Sequence, residues 1–449
     1  MKVSAGGVFI AVMVILTLIS DISGGVPRWS AGIAGWCAAF LLITKLKLAQ
    51  RLQIVVITLI GVVLLIVGAG LNDQFELQAF DWSAIDWAAI DWKGAIGNNA
   101  GLVTMLASVG FLRLIALPAS QNTNVPLPVG FNAFVKTLTG VSLFGSVINV
   151  SAPILFADRL HDNKVLGRLA SQSITRIFTS TASWSPFFGG MAAVLTYVPS
   201  MRLNFVVAVC IPFAVISFVV VVSEAAWRNK EALHRFRGYP VNFYNLWIPA
   251  VLAVMILFLA QLAETWSVLT HISLSALSLT FFVLLWRQGV KLTLHTIGRF
   301  IFDGLPAMVN ELQLFLAAGV LAAGLASVIS GTMIPTLSAF TAFEAVVLLG
   351  VMILLAIGGV HPVVTLAGAT PLIMTLQPQP DLLAVCFLLA WSLGTCASPL
   401  SGTHLIFQGR YGIPSWKGAL WNWPYVAFMY CVAAMLLFVV ERLLHTELF

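Results

Sequence analysis

Charged side chains are scarce in this sequence. Only 9% of its 449 residues are charged, whereas 60% are hydrophobic. A soluble domain could not keep such a surface in contact with water, so that class of protein is excluded. Hydrophobic runs of about 18–20 residues recur, and each is long enough to cross a hydrocarbon core of roughly 30 Å. The composition predicts an all-α polytopic membrane protein with about 10–12 transmembrane segments.

Paired cysteines and nucleotide-binding loops are also missing. The five cysteines, Cys37, Cys210, Cys386, Cys396 and Cys431, lie in apolar segments without paired spacing. This distribution favours packing residues over a disulfide framework. No glycine-rich phosphate-binding loop with a lysine occurs, which argues against an ATP-driven pump. The net charge of +6 comes from basic residues in short loops, so it does not indicate nucleic-acid binding.

One stretch, Trp391–Lys417, differs from the apolar runs on either side of it. It is rich in small and hydroxyl residues and is interrupted by glycine and proline, including Pro399 and Gly402. Non-helical backbone at membrane depth is tolerated only where protein covers it or where it lines a polar cavity. The stretch is therefore predicted to be a broken helix at a binding site.

A second copy of this pattern lies earlier in the chain, at Thr179–Ser200. A nearly constant offset between matched landmarks indicates two structural repeats, although small-residue membrane helices can also resemble one another by composition. Paired interrupted segments in the two halves of a membrane chain point to the binding site of a transporter. The matched pairs, with their separations in residues, are Gly110/Gly319 (209), Pro153/Pro362 (209), Pro186/Pro399 (213) and Pro199/Pro414 (215).

Each half also holds an apolar segment that is predicted to be a re-entrant hairpin. The first is 131–156, interrupted at Asn149–Pro153, and the second is 341–376, interrupted at Gly358–Pro362. Short basic loops stay in the cytoplasm, which places the N-terminus inside and gives the two repeats opposite orientations. The predicted division is 1–98 (three helices and an acidic, Trp-rich outer segment), 99–225 (first repeat), 226–307 (basic connector and helix pair) and 308–449 (second repeat).

The outer segment contains a five-residue Asp-Trp repeat at 80–94. Its tryptophans suit the headgroup layer and its aspartates suit water, so an interfacial lid or spacer is predicted. The alternative is a role in recruiting substrate, although an acidic strip would repel an anion.

Hydroxyl and amide side chains cluster at the four interruptions, where no acidic residue lies. Hydroxyls beside the N-termini of half-helices suit an anion, and freed carbonyls at the opposite ends could bind a cation. The alternative for each hydroxyl is a hydrogen bond to its own helix. The lack of acids argues against a multivalent metal site, and no cofactor is predicted. The predicted substrate-binding residues are Asn149, Ser151, Thr179, Thr181, Ser183, Ser185, His361, Thr365, Thr395, Ser398, Ser401 and Thr403.

Three ionisable residues are candidates for ion or proton coupling: His361, Glu311 and Arg176. Histidine titrates near neutrality, so His361 could carry a proton or meet a carboxylate; the alternative is a neutral histidine that caps backbone. Arg176 could bind a substrate carboxylate or extend towards the cytoplasmic surface. Glu311 could carry a coupling proton, or it could simply be solvated at the end of a helix.

The segment Leu393–Gly409, LGTCASPLSGTHLIFQG followed by Arg-Tyr-Gly-Ile, resembles the ion transporter superfamily. Its best-known members are divalent anion/sodium symporters, and the likeness spans about residues 99–222 and 308–440. In that group each repeat has a hairpin with a Ser-Asn-Thr-like tip and a broken helix with a Gly-Thr-Pro-Pro-Asn-like break. Here the tips read Asn149-Val-Ser151 and Gly359-Val-His361, and no Pro-Pro-Asn is present. The resemblance implies the inverted-repeat fold and a homodimer.

These features predict a secondary active transporter of the cytoplasmic (inner) membrane, and not an enzyme. It would move a small anion, such as an organic acid, with H⁺ or Na⁺ by alternating access. Its predicted partners are the small-molecule anion, the coupling ion and the lipid bilayer. The alternatives are a cation/proton antiporter of the same superfamily, a membrane-embedded lipid- or glycan-processing enzyme, and a passive channel.

Overall fold

The chain folds into helices throughout the part that the structure describes. The structure is a computed structural model that describes residues 2–70, 85, 87–88, 90–116, 127–149, 151–161, 165–239, 247–330 and 339–446. These residues contain no β-strand, and the one isolated bridge joins Val129 to Arg237. The all-α prediction is confirmed. Seven of the fifteen residues of the Asp-Trp repeat at 80–94, for which a lid or spacer was predicted, lie outside the described residues.

The α-helices are numbered in chain order, and short 3₁₀ or π segments follow α2 and α14. They are α1 (Lys2–Ser23), α2 (Arg28–Leu42), α3 (Leu48–Ala69), α4 (Trp92–Gly97), α5 (Ala100–Gly110), α6 (Arg113–Ala116), α7 (Phe131–Ile148), α8 (Ser151–Leu160), α9 (Arg168–Thr181), α10 (Gly189–Tyr197), α11 (Leu203–Arg228), α12 (Lys230–His234), α13 (Trp247–Leu262), α14 (Val268–Arg299), α15 (Val309–Ser330), α16 (Ala342–Ile357), α17 (Pro362–Met374), α18 (Pro380–Ala397), α19 (Gly402–Tyr411) and α20 (Ser415–His445).

Many of these helices have the length and composition of membrane spans. Within the described ranges, eight segments are long and apolar enough to cross a membrane, and three shorter apolar helices accompany them. Helix α3, with 22 residues, extends about 33 Å at 1.5 Å per residue, which matches a hydrocarbon core of about 30 Å. The prediction of a polytopic membrane protein is confirmed.

All four predicted interruptions occur as breaks between helices. Glycine, proline and hydroxyl residues occupy them, because these residues leave the helical conformation at low cost or hydrogen-bond locally. The breaks separate α7 from α8 at Asn149, α9 from α10 at 182–188, α16 from α17 at 358–361, and α18 from α19 at 398–401.

The chain divides into two compact units, and each takes segments from both halves of the sequence. Unit one comprises residues 1–115, 254–339 and 366–377, and unit two comprises residues 116–253, 340–365 and 378–449. These units are a different division from the repeats predicted along the sequence. The predicted repeat boundaries at 98, 225 and 307 stay a prediction.

Unit one is held together partly by direct backbone contact between α3 and α15. A Cβ atom added to Gly61 would lie 2.7 Å from the backbone nitrogen of Leu321, and one added to Gly324 would lie 2.3 Å from the carbonyl oxygen of Gly61. Gly68 approaches Ser327 equally closely. Glycine permits this approach because it has no side chain, as is common between membrane helices.

Unit two is built around α18. Every residue of this helix from Asp381 to Gly394 is buried. The two repeats are joined at both ends of α18–α19. The Asp381 carboxylate accepts hydrogen bonds from the backbone nitrogen and Nε of Arg202, both at 2.7 Å, and Arg410 pairs with Asp158 at 2.8 Å. Because α9, α10, α11 and α20 contact α18, the breaks of both repeats lie in one compact unit.

Candidate functional site

In the first repeat, the hairpin tip lies against the break between α9 and α10. Asn149 has a φ of 53°, and its side-chain Nδ2 donates to the carbonyl oxygen of Phe187 at 3.0 Å. One helical turn earlier, the carbonyl of Ser146 accepts from Ser185 Oγ at 2.6 Å. Asparagine tolerates a positive φ better than most residues, which explains its place at the tip.

In the second repeat, the tip of the predicted hairpin, between α16 and α17, lies close to the break between α18 and α19. Because α17 is divided between the two units at Thr365, this hairpin stays a prediction. Gly359 has a φ of 96°, and a Cβ atom placed there would lie 3.0 Å from Cδ1 of Leu400. The positive-φ residues Asn149 and Gly359 are 210 residues apart, and their partners Phe187 and Leu400 are 213 apart. The offset found in the sequence therefore also relates two contacts at the breaks, a hydrogen bond in the first repeat and an apolar contact in the second.

Trp391 connects the two repeats near these breaks. Its ring lies flat against the backbone of α10, because a Cβ atom on Gly190 would be only 2.9 Å from Trp391 Cγ. Its ring also meets the His361 ring edge-to-face, with centroids 5.4 Å apart and planes at 85°. Trp391 is 4% exposed. The contacts of Trp391 with Gly190 and His361 were not predicted from the sequence. The only signal for them was an aromatic residue in a stretch of small residues.

His361 immediately precedes α17, and its ring caps that helix. Its Nδ1 accepts a hydrogen bond from the backbone nitrogen of Val363 at 3.2 Å. A neutral ring with Nδ1 as acceptor carries its proton on Nε2. The ring therefore caps backbone, which is the alternative that the sequence offered, and it also contacts Trp391, the residue that reaches Gly190 of the first repeat.

Most of the predicted hydroxyl groups donate to backbone carbonyls. Because the single O–H of such a hydroxyl is already used, the group can only accept a hydrogen bond from a ligand in this rotamer. Ser398 Oγ instead accepts from the backbone nitrogen of Leu400 at 3.3 Å. The donors and their acceptor residues are Thr179 to Arg176, Thr181 to Ile177, Ser183 to Ser180, Ser185 to Ser146, Thr365 to Pro362, and Thr395 to Trp391.

Two half-helices begin at the breaks. Helix α10 begins at Gly189 and α19 begins at Gly402, and no side chain among the described residues caps either start. The first backbone N–H groups of a helix lack intrahelical partners and carry the positive end of its dipole. The two starts therefore offer donors that suit an anion. Two other predicted residues lie at helix starts: Thr403, which is buried in α19, and Ser151, which is half-buried at the beginning of α8.

Arg176 lies in the interior of unit two and is engaged by three partners. Its Nη1 donates to Glu224 at 2.5 Å, its Nε to Asn422 Oδ1 at 2.8 Å, and its Nη2 to the Trp421 carbonyl at 3.1 Å. The guanidinium also stacks on the Tyr425 ring at 4.8 Å. The side chain is buried and does not extend to the surface, and its charge is already balanced by Glu224.

The same network reaches the second break through His404. His404 Nδ1 lies 2.9 Å from the Ser398 carbonyl and 2.9 Å from Ser401 Oγ, and Nε2 lies 3.3 Å from Asn422 Nδ2. Because a carbonyl can only accept, the proton is on Nδ1, and Nε2 accepts from the Asn422 amide. Glu224, Arg176, Asn422 and His404 thus form one chain of contacts from α11 to the break between α18 and α19.

Glu311 belongs to unit one, whereas the other candidates belong to unit two. It lies in the first turn of α15, half-buried, and interacts electrostatically with Arg113. Arg113 in turn lies over the Phe300 ring at 5.3 Å. In the described part of the chain, no three His, Cys, Asp or Glu side chains come together as a metal site.

No family model and no curated protein matches this sequence. A solved structure is similar in fold: the crystal structure of the Alcanivorax borkumensis YdaH transporter, which is described as having an unusual topology. The TM-score is 0.53 at 13% identity, over 86% of this chain and 97% of that chain. The chain has the fold of a membrane transporter. At this identity the likeness concerns the fold alone, so the resemblance to the ion transporter superfamily stays a prediction.

Proposed function

We propose that this protein is a secondary active transporter that moves a small anion by alternating access. The observation that carries the proposal is the pairing of each hairpin tip with the break of a broken helix, twice within unit two. Broken helices at a repeat interface are the common architecture of transporter binding sites. The transporter fold of the YdaH structure supports the same conclusion.

The proposed substrate is an organic or inorganic anion that meets the N-terminal ends of α10 and α19. Both helix starts lie beside the breaks and are free of side-chain caps in the described chain. Arg176 is unsuited to bind the anion directly, because its guanidinium is committed to Glu224, Asn422 and Trp421. A substrate held by helix ends, without a free cationic side chain, would carry a low charge.

The proposed coupling ion is H⁺ or Na⁺. Hydroxyls that donate to backbone carbonyls present lone pairs, which suit a cation. His361 and Glu311 are the proposed proton carriers if the ion is H⁺. The same lone pairs favour a cation/proton antiporter as the second candidate function. In either case we propose a protein of the cytoplasmic membrane with its N-terminus inside.

A thermal-shift screen of the purified protein tests the substrate class. The probes are succinate, benzoate, taurine, sulfate and phosphate, each in NaCl and in KCl and at pH 6 and pH 8. A ligand that binds only the folded state must raise its apparent stability. We expect at least one anion to stabilise the protein, and the dependence on Na⁺ or pH to name the coupling ion.

Uptake of the stabilising anion into proteoliposomes then tests transport itself. Stabilisation by Na⁺, K⁺ or a pH change without any effect of the anions would contradict anion transport and favour the antiporter. Stabilisation by an anion without uptake in an imposed ion gradient would contradict secondary transport.

A further inference from the structure

Helix α14 bends sharply at Gly289, where φ is 77° and ψ is 171°. Only glycine adopts this conformation readily. A hydrogen bond from Gln288 Nε2 to Thr296 Oγ1, 3.1 Å long, confirms the change of direction. In a straight helix, residues eight apart are separated by about 12 Å along the axis, too far for this contact. The segment Val290–Arg299, here called the post-bend helix, therefore leaves the direction of the preceding apolar helix.

At 100° per residue, most of the post-bend helix divides into three faces; Leu292, which is 50% exposed, lies beside Arg299 on the side away from Val290. One face is turned to unit one, because Thr293 is fully buried and Phe300, seven residues on, is also buried. A second face is apolar and exposed: Val290 is 63% and Leu294 is 59% exposed. The i, i+4 spacing places these two side chains above one another.

The third face is basic. Lys291, His295 and Arg299 follow one another at intervals of four residues, and all three are exposed. Arg287 precedes them by the same interval, before the bend, and donates to the Ile115 carbonyl at 3.3 Å. The nearest acid is Asp303, 3.8 Å from Arg299, and such an exposed pair leaves most of the charge available.

An exposed apolar face beside a basic face is the pattern of a helix at the membrane interface. Trp286 supports this placement: it lies three residues before the bend, is 85% exposed, and tryptophan favours the headgroup layer. The apolar face would meet acyl chains, and the basic face would meet the phosphates above them. The complementary partner is an anionic headgroup.

We propose that the post-bend helix is a binding surface for anionic phospholipid, with Lys291 and Arg299 as the phosphate-binding residues. This inference does not depend on the proposed transport function, because it rests on unit one alone.

The test is the apparent stability of the full-length protein in neutral-detergent micelles, titrated with phosphatidylglycerol or with phosphatidylcholine. We expect phosphatidylglycerol to stabilise the wild-type protein more than phosphatidylcholine does. In the double variant Lys291→Gln/Arg299→Gln, the apparent affinity for phosphatidylglycerol should fall about thirtyfold, or about fivefold for each basic residue. The charge-preserving variant Lys291→Arg/Arg299→Lys should retain the wild-type preference.

The matched control is Lys230→Gln/Arg235→Gln, which removes one exposed lysine and one exposed arginine from another basic loop. It should keep the preference for phosphatidylglycerol. An unchanged preference in the Lys291/Arg299 variant, or an equal loss in the control, would overturn the proposal. A shift from dimer to monomer in the Lys291/Arg299 variant would also overturn it, because the surface would then bind a second copy of the chain.

Discussion

Each tip of the two predicted hairpins contains a residue with a positive φ, but the two tips are held by different contacts. In the first repeat, the amide of Asn149 donates to the carbonyl of Phe187. In the second, Gly359 has no side chain and packs against Leu400, while His361 beside it meets the Trp391 ring. A polar contact fixes one tip and apolar contacts fix the other.

The two tips thus share a positive φ but not their side-chain contacts. Two repeats with equal side chains would form two equivalent sites. The proposed symport requires two unlike sites, one for the substrate and one for the coupling ion, and unequal tips would meet that requirement. We therefore expect matched substitutions in the two repeats to have unequal effects.

The largest expected effect concerns the second repeat. His361→Ala and Thr395→Ala should each abolish transport of the stabilising anion while the protein stays folded. The first removes the ring that caps α17 and contacts Trp391, and the second removes a hydroxyl at the end of α18. Proteoliposome uptake measures the loss of transport, and the melting temperature shows whether each variant stays folded.

Thr196→Ala is the matched control, since Thr196 makes the same kind of hydrogen bond, to the Ala192 carbonyl, away from the breaks. It should keep wild-type uptake. Wild-type flux in both His361→Ala and Thr395→Ala would remove these residues from the site. His361→Gln refines the test, because its side-chain oxygen can still cap Val363 but cannot titrate.

Arg176→Ala should cause the largest loss of stability, about 3 kcal/mol or more in the free energy of unfolding. It leaves one oxygen of the half-buried Glu224 carboxylate and the Oδ1 atom of Asn422 without their buried partner, although Arg228 remains 3.6 Å from Glu224. Arg410→Ala breaks an exposed pair with Asp158 and should cost below about 1 kcal/mol. Denaturant titration of both variants measures the difference. Equal losses would mean that the buried network contributes no more than a surface ion pair.

Gly359→Ala should destabilise the second tip by about 1–2 kcal/mol. Alanine is strained at a φ of 96°, and its Cβ would press on Leu400. Gly359→Asn should cost less backbone strain, because asparagine tolerates positive φ values. Melting curves of the two variants give the comparison, and an equal loss would point to the contact with Leu400 as the dominant cause.

Of the substitutions at the two tips, Asn149→Gly should have the smaller effect, about 1 kcal/mol. Glycine keeps the positive φ but loses the hydrogen bond to the Phe187 carbonyl. A loss as large as that expected for Arg176→Ala would show that the first tip depends on its polar contact far more than the second depends on packing.

The sequence predicts the architecture well because breaks in membrane helices need particular residues. Glycine, proline and asparagine at 149, 358–362 and 398–402 all coincide with interruptions in the structure. The offset between the repeats could also be read in advance, since homologous positions keep their spacing. The four breaks could thus be predicted to within a few residues.

The partners of individual side chains could not be predicted in the same way. Arg176 is 48 residues from Glu224 and 246 from Asn422, and no local pattern encodes such contacts. A sequence also does not show in which direction a hydroxyl points. It therefore could not tell whether Thr181 and Thr395 bind a ligand or donate to a backbone carbonyl, as they do in the structure. Both depend on tertiary packing, which residue types alone do not determine.

The contact between α3 and α15 sets a limit on mutational tolerance. Because backbone meets backbone at Gly61 and Gly324, no rotamer change can make room for even one methyl group. Leu59 and Val63, on either side of Gly61, are more than half exposed and need only remain apolar. In a saturation library, position 61 should therefore accept a single amino acid, while its near neighbours accept many. The least variable position of α3 would then be Gly61, a residue without a side chain.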